Sequence, residues 1–378
     1  MNRRRVAVLF GGRSAEHEIS CISARSVIDA LDPAQTEVVP VGISRDGRWH
    51  LLSSPPALAT ETGRMPEVTE GSGTEVELAA EGGSNELVAT DGSSRESIDI
   101  VFPVLHGPFG EDGTIQGLFE LAGVPYVGAG VLGSAIGMAK DVQKHLFLQA
   151  GLPVGPFETT HEKDWEDDPE SVEASAEALG YPLFTKPVSL GSSVGVSRVS
   201  STAELAAGLD EAFRYARYAL LEKAAEGARE IECAVLGNDD PVASVAGEIV
   251  PEGHDFYDYE AKYLDEDGAQ LLIPADLKPE VLEEVQRLSV KAFRTTRCAG
   301  MARVDFFLLG EDELWLNEIN TIPGFTSISM YPKLWEASGL PYAQLVERLL
   351  DLAVERHEAE RKSTGVRELG LTDGRPGR

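Results

Sequence analysis

One stretch constrains this chain more than any other: Met301–Met330, reading MARVDFFLLGEDELWLNEINTIPGFTSISM. Met301–Leu309 alternates as a β-strand does, Gly310-Glu311-Asp312-Glu313 supplies turn chemistry, and Leu314–Asn320 reads as the returning strand. If Leu309 sits opposite Leu314, Asp305 falls opposite Glu318 and Arg303 opposite Asn320, all on one side of the hairpin. Two facing carboxylates repel and would weaken such a hairpin. A divalent cation between them removes the conflict, since Mg²⁺ takes carboxylate and amide oxygens together with substrate phosphates. An Arg and a carboxamide accompany the acids, as a phosphoryl-transfer site requires. Pro323-Gly324-Phe325-Thr326-Ser327 follows, where glycine allows close backbone approach to a ligand.

The rest of the chain reads as α/β. Val6–Phe10 is a short buried strand, then Gly11-Gly12-Arg13-Ser14 leads into a helix through Leu31 with Ser14 as N-cap. Val38–Ser44, Arg48–Leu52 and Asp99–Leu105 are further strands, and Thr114–Ala122 a helix. Residues 53–97 read as a surface insertion, with strands at Glu75–Leu78 and Glu86–Ala89. The glycine-rich GAGVLGSAIG suggests a domain boundary near Gly133–Met138. Lys140–Ala150, Thr202–Arg217, Pro279–Cys298 and a last segment from Leu340 to about Lys362 read as helices. Pro182–Lys186, Gly195–Val199, Ala219–Lys223, Glu230–Leu236 and Val242–Val250 read as strands, and 363–378 as a disordered tail.

At 378 residues the chain suits two or three domains. Its formal net charge of −30 argues against nucleic acid or an anionic membrane as partner. Cys21, Cys233 and Cys298 form no CxxC pair, so neither a disulfide framework nor a zinc site is expected. The apolar run after Arg3-Arg4-Arg5 is too short for a signal peptide, and no stretch reaches transmembrane length, which points to the cytoplasm.

An acidic chain that binds nucleotide must gather its cations locally. KPVSLGSSVG, Lys186–Gly195, can wrap phosphate oxygens with backbone N–H groups while Lys186 adds a charge; it is not a Walker A loop. Lys140 is a second candidate phosphate cation. Glu222 and Lys223, at a strand end, could meet an adenine edge, and Glu230 ribose hydroxyls. HDFYDYEAKYL, 254–264, mixes aromatics with charges and reads as a lid, with Lys262 able to reach a γ-phosphate. Glu16 and His106 follow strands of the N-terminal sheet, at the edge where open α/β sheets bind ligands.

Together these loops resemble the ATP-grasp enzymes, and most closely the D-alanine–D-alanine ligases. GGRSAEHEIS, LHGPFGEDGTIQG, KPVSLGSSVGVSRV, YDYEAKY, RVDFF and NEINTIPGFTSIS occur in family order. The resemblance implies an ATP-grasp fold: an N-terminal open parallel-sheet domain (1–137), a small central lobe (138–228) and a larger C-terminal lobe (229–362). It implies that ATP phosphorylates one D-alanine and that the amine of a second attacks the acyl phosphate. By matching position, Asp305, Glu318 and Asn320 look like ligands of two Mg²⁺ (or Mn²⁺) ions. Lys140, Lys186 and Lys262 look like phosphate contacts; Glu222, Lys223, Glu230 and Phe256 line the nucleotide site. Glu16 and His106 look like contacts of the first D-alanine and Ser329 of the second, with Arg303 and the Gly324 N–H as oxyanion hole. Ser192 and Tyr263 resemble the pair that ties the lid to Glu16. Family members joining D-alanine to D-lactate carry a lid histidine where this chain has DYEAKY, so Tyr263 favours D-alanine. The family also implies a homodimer, and the alternative is a D-alanine–D-lactate ligase or another ATP-grasp carboxylate–amine ligase.

Overall fold

The structure, a computed structural model, describes residues 3–54, 65–79, 85–251 and 269–363. Phe256, Lys262 and Tyr263, with the expected lid around them, and the tail from residue 364 lie outside the described residues.

Strand β1 (Arg4–Gly11) begins the first sheet and lies one strand in from its edge. Its run VAVLF is apolar at every position because both faces are covered. Val6, Val8 and Phe10 join a core with Cys21, Ala24 and Val27, whereas Ala7 and Leu9 join one with Phe119, Ala122 and Tyr126. β1 pairs in parallel with β2 (Thr36–Ile43) on one side and β7 (Ile100–Pro103) on the other. Beyond β2 the sheet continues antiparallel through β3 (Trp49–Leu51), β4 (Thr74–Leu78), β5 (Glu86–Ala89) and β6 (Arg95–Ser97). The described part of 53–97 is therefore an extension of the sheet, not a surface addition. Val76, Leu78, Leu87 and Ala89 alternate along their strands and bury one face beside Phe119 and Tyr126. The sheet is consequently mixed, and parallel only around β1.

Helix α1 (His17–Ala30) begins after Glu16, later than a Ser14 cap would place it. The Ser14 hydroxyl instead accepts the Glu16 N–H at 3.1 Å, closing the turn ahead of the helix. After α2 (Thr114–Ala122), the glycine-rich stretch expected to loosen into a boundary forms α3 (Val131–Met138), followed by α4 (Lys140–Gln149). Its glycines serve close packing. A Cβ at Gly133 would lie 2.8 Å from the Arg297 carbonyl, and one at Gly137 would lie 2.7 Å from Thr321 Cγ2.

A four-stranded sheet follows, ordered β10-β9-β11-β8: β8 (Phe157–His161), β9 (Leu183–Pro187), β10 (Ser197–Val199) and β11 (Tyr218–Lys223). α5 (Glu162–Asp167) leads to α6 (Pro169–Leu179), which with α7 (Thr202–Phe213) supplies Val172, Ala176, Leu205, Leu209 and Ala212 to its core. β8, α5 and α6 lie outside the elements expected from the sequence.

The third sheet, β14-β13-β12-β15-β16, is fully antiparallel: β12 (Arg229–Gly237), β13 (Val242–Pro251), β14 (Ala269–Leu272), β15 (Gly300–Leu309) and β16 (Glu313–Asn320). α8 (Pro279–Thr295) covers it with Val281, Val285, Leu288 and Ala292, one stripe at helical spacing. α9 (Met330–Ala337) and α10 (Tyr342–Ser363) return the chain to the first sheet. Leu345, Val346, Leu349 and Leu350 share a core with Val6 and Phe10. The N-terminal and C-terminal sheets thus share one apolar seam, and the site lies along it.

Candidate active site

The β15–β16 hairpin pairs Asp305 with Glu318 and Arg303 with Asn320, but the turn end pairs Leu308 with Leu314 and Leu309 with Glu313. The register shifts between Asp305 and Phe306, because Asn317 is an extra residue in β16. This β-bulge twists the strand beside its functional end. Glu232 on β12 sits opposite Asp305 from the other side. One sheet face therefore gathers Glu230, Glu232, Arg303, Asp305, Glu318 and Asn320.

The charges on that face are paired. The Arg303 guanidinium donates to both Asp305 oxygens at 2.8 and 2.7 Å and lies 3.0 Å from Glu232. Asn320 Nδ2 donates to Asp305 at 2.9 Å. Although burial opposes its charge, Asp305 and Glu232 hold Arg303 well above its ordinary value. Lys140, at the start of α4, pairs with Glu318, and Lys186, at the end of β9, pairs with Glu222. Lys144, one helical turn after Lys140, lies 2.6 Å from the other Glu222 oxygen. Burial works against ionisation of Glu222, yet the two ammonium groups hold it down to about 2.

In loop 188–196, Ser192 and Ser193 sit at φ +52° and +59°, a left-handed backbone that side chains rarely adopt. The Ser192 hydroxyl donates to Glu16 at 2.5 Å, joining the central sheet's loop to the N-terminal sheet. A second junction runs from the N-terminal sheet to the loop after β16. There His106 Nδ1–H donates to the Ile322 carbonyl at 3.2 Å, and Ile322 N–H donates to Glu111 at 3.2 Å. Glu111 also accepts the Gly107 N–H at 2.6 Å. Its low-dielectric setting, with Glu16 nearby, pushes its carboxyl up to about 8. Burial lowers His106. Beyond Ile322, the Ser329 hydroxyl lies against Gly324, 3.2 Å from where a Cβ would be, and accepts the Thr326 N–H at 3.1 Å.

Residues 5–129 match the family model for the D-ala D-ala ligase N-terminus and residues 146–351 that for its C-terminus. The chain belongs to the D-alanine–D-alanine ligase family. It is 48% identical over 377 residues to a D-alanine–D-alanine ligase of Streptomyces griseus, covering 96% of this chain and 94% of the relative. It is 46% identical over 362 residues to D-alanine–D-alanine ligase A of Escherichia coli K12, covering 95% and 98%. Among solved structures, the D-alanine–D-alanine ligase of Coxiella burnetii superposes with a TM-score of 0.84 at 37% identity, covering 99% of this chain and all of that one. The VanG D-Ala:D-Ser ligase of Enterococcus faecalis superposes with a TM-score of 0.82 at 34% identity, covering 93% and 100%. The protein is thus a ligase with the ATP-grasp fold.

Within that family frame, the structure brings Glu16 to Ser192, Lys140 to Glu318, Lys186 to Glu222, Arg303 to Asp305, and Gly324 to Ser329. Glu230 lies half-buried opposite Phe307. The Lys223 ammonium donates to the Gly180 and Tyr181 carbonyls at 2.8 and 2.9 Å and braces the loop before β9. Four residues escaped the sequence reading. Glu111 hid in a turn-like GEDG, Glu232 in a plain strand, and Gln143 and Lys144 on a helix that read as solvated. Lys144 had one signal, its place four residues after Lys140 on the same helix face.

The donor set fits a hard divalent cation: Asp305 and Glu318 carboxylates and the Asn320 amide, all oxygen donors on one face. Each acid now holds a cationic side chain, so Lys140 and Arg303 would have to shift their bonds as a metal enters. A cavity of about 210 Å³ lies by the N-terminal loops, lined by Gly12, Arg13, Trp49, Phe109 and Ile115, and includes none of the C-terminal site residues.

Proposed function

We propose that this ligase joins two D-alanine molecules, as its relatives' names state of them, and that it does so at the expense of ATP. The reading rests most on one observation: Glu16 and Ser192 meet beside a face carrying Asp305, Glu318 and Asn320 and flanked by three lysines. Such a junction can hold an ammonium group, a polyphosphate and metal ions at once. Glu16 anchors the ammonium of the first D-alanine, with His106 beside it. Lys140, Lys186 and Lys262 take phosphate oxygens, while Glu222, Lys223, Glu230 and Phe256 border adenine and ribose. Asp305, Glu318 and Asn320 would hold Mg²⁺ or Mn²⁺, which supplies Lewis-acid neutralisation of phosphate charge.

The first carboxylate attacks the γ-phosphorus of ATP, and ADP leaves. The second D-alanine, its carboxylate on Ser329, loses a proton from its ammonium and attacks the acyl carbon. Arg303 and the Gly324 N–H stabilise the oxyanion, and phosphate departs with the C–O bond electrons. Tyr263 and Ser192 tie the 254–268 lid to Glu16 so that water is excluded. The site lies between three units, 1–137, 138–228 and 229–362. We assign the enzyme to peptidoglycan precursor synthesis in the cytoplasm, as a homodimer, for which exposed Leu121 and Leu132 offer apolar surface.

The test is phosphate release from ATP and Mg²⁺ with D-alanine, D-serine, D-lactate or L-alanine, each product identified by mass. D-Alanyl-D-alanine from D-alanine alone is expected. Release only when D-serine or D-lactate is added would move the second-substrate assignment, and none with any pairing would overturn the reading. Tyr263→Phe should weaken the preference for D-alanine over D-lactate; an unchanged preference removes Tyr263 as its cause.

A further inference from the structure

Lys144 is almost wholly buried and belongs to no motif; burial lowers its pKa and the Glu222 carboxylate opposes that. Its ammonium touches two elements. It lies 2.6 Å from Glu222 Oε1 and donates to the Asn317 carbonyl at 2.8 Å. Asn317 is the bulge residue that shifts the β15–β16 register. Its helix neighbour Gln143 clamps the next peptide: Ile319 N–H donates to Gln143 Oε1 at 3.0 Å, and Gln143 Nε2 reaches the Ile319 carbonyl at 3.4 Å. The start of α4 therefore grips β16 on both sides of Glu318.

Glu222 sits between two of the lysines. Its two oxygens hold Lys144 and Lys186, so removing both would leave a buried carboxylate unpaired, a costly state. Lys186 can leave for a phosphate only if a counter-ion remains behind. From these contacts we infer that Lys144 is a positioning residue joining the nucleotide and metal sites. It stays as the counter-ion of Glu222, freeing Lys186 for phosphate, and it fixes the Asn317 bulge that sets Glu318 opposite Asp305. The inference rests on the proposed nucleotide and metal sites.

The experiment measures ADP affinity by calorimetry and Mn²⁺ affinity by electron paramagnetic resonance with ADP present, on the full chain. It compares wild type, Lys144→Met and Lys144→Met/Glu222→Gln, with each Tm recorded. Lys144→Met should lose about 10- to 100-fold in Mn²⁺ affinity and at least about tenfold in ADP affinity. The double variant, with no carboxylate left to neutralise, should bind ADP more tightly than Lys144→Met even though Glu222 borders the base, while Mn²⁺ stays weak. It also answers the question if Lys144→Met alone fails to fold. Wild-type Mn²⁺ affinity in the double variant would overturn the bulge role. ADP affinity no better in the double variant than in the single, or near wild type in the single, would overturn the counter-ion role. A wild type that binds neither ADP nor Mn²⁺ would instead sink the assignment of the sites.

Discussion

Two carboxylates at the two seams of this molecule are held in opposite ways. Glu111, between the N-terminal sheet and the loop after β16, accepts backbone N–H groups and has the charge of Glu16 for a neighbour. Glu222, between the central sheet and α4, is gripped by two ammonium groups. Burial opposes ionisation at both, yet one is pushed up to about 8 and the other held near 2. Partners, not depth, set the charge. The N-terminal seam is joined by hydrogen bonds that need no net charge, whereas the nucleotide seam is a store of matched charges. Lys140, Lys144, Lys186 and Arg303 face Glu222, Glu232, Asp305 and Glu318. A polyphosphate and its metal can enter such a store by exchanging partners rather than by bringing charge into an empty pocket.

The comparison is broken hardest by Glu222→Gln. Two buried ammonium groups would lose their counter-charge, and a loss of about 3–5 kcal/mol is expected in denaturant unfolding at pH 7. The deficit should shrink in acid. A carboxyl held low stabilises the fold above its unfolded value of 4.5 and loses that contribution as pH falls toward 2. A stability loss that stays constant down to pH 3 would contradict the ion-pair account.

Glu111→Gln should cost less at neutral pH, about 1–3 kcal/mol for one mismatched buried bond. Its pH dependence has the opposite sign. With a folded value near 8 against 4.5 unfolded, Glu111 favours the fold below pH 4.5 and loses that contribution as pH rises through 8. The variant's Tm should therefore fall less than the wild type's between pH 5 and 9, and parallel profiles would show that Glu111 is ionised throughout. Lys223→Met should have the smallest effect, about 1 kcal/mol in stability, with ATP affinity within about twofold of wild type. A tenfold affinity loss would return the Lys223 side chain to the adenine site.

What the sequence disclosed follows from the same physics. Alternation and turn residues put Asp305 opposite Glu318 by way of a turn register, Leu309 opposite Leu314, that is one residue off; the extra residue Asn317 restores the pairing at the functional end. The bulge at Asn317 left no trace, since one extra residue changes no composition. The glycines at 128–137 read as a loosening of pattern near a boundary; that Gly133 and Gly137 also permit close helix packing is invisible in composition. The strands at 74–78 and 86–89 were legible from their alternation. Their place as an extension of the first sheet was not, because pairing partners lie outside any local window. Lys144 and Glu111 were missed for one reason: burial is a tertiary property, and a lysine on a helix or a glutamate in a turn reads as solvated until the fold encloses it.

The most direct test of the central claim, that this junction transfers a phosphoryl group to a carboxylate, follows oxygen. D-Alanine labelled with ¹⁸O in its carboxylate is incubated with enzyme, Mg²⁺ and unlabelled ATP, and the released phosphate is weighed. The account predicts one ¹⁸O in each phosphate for every dipeptide formed, because the oxygen that attacks phosphorus leaves with it. Unlabelled phosphate accompanying dipeptide would contradict it.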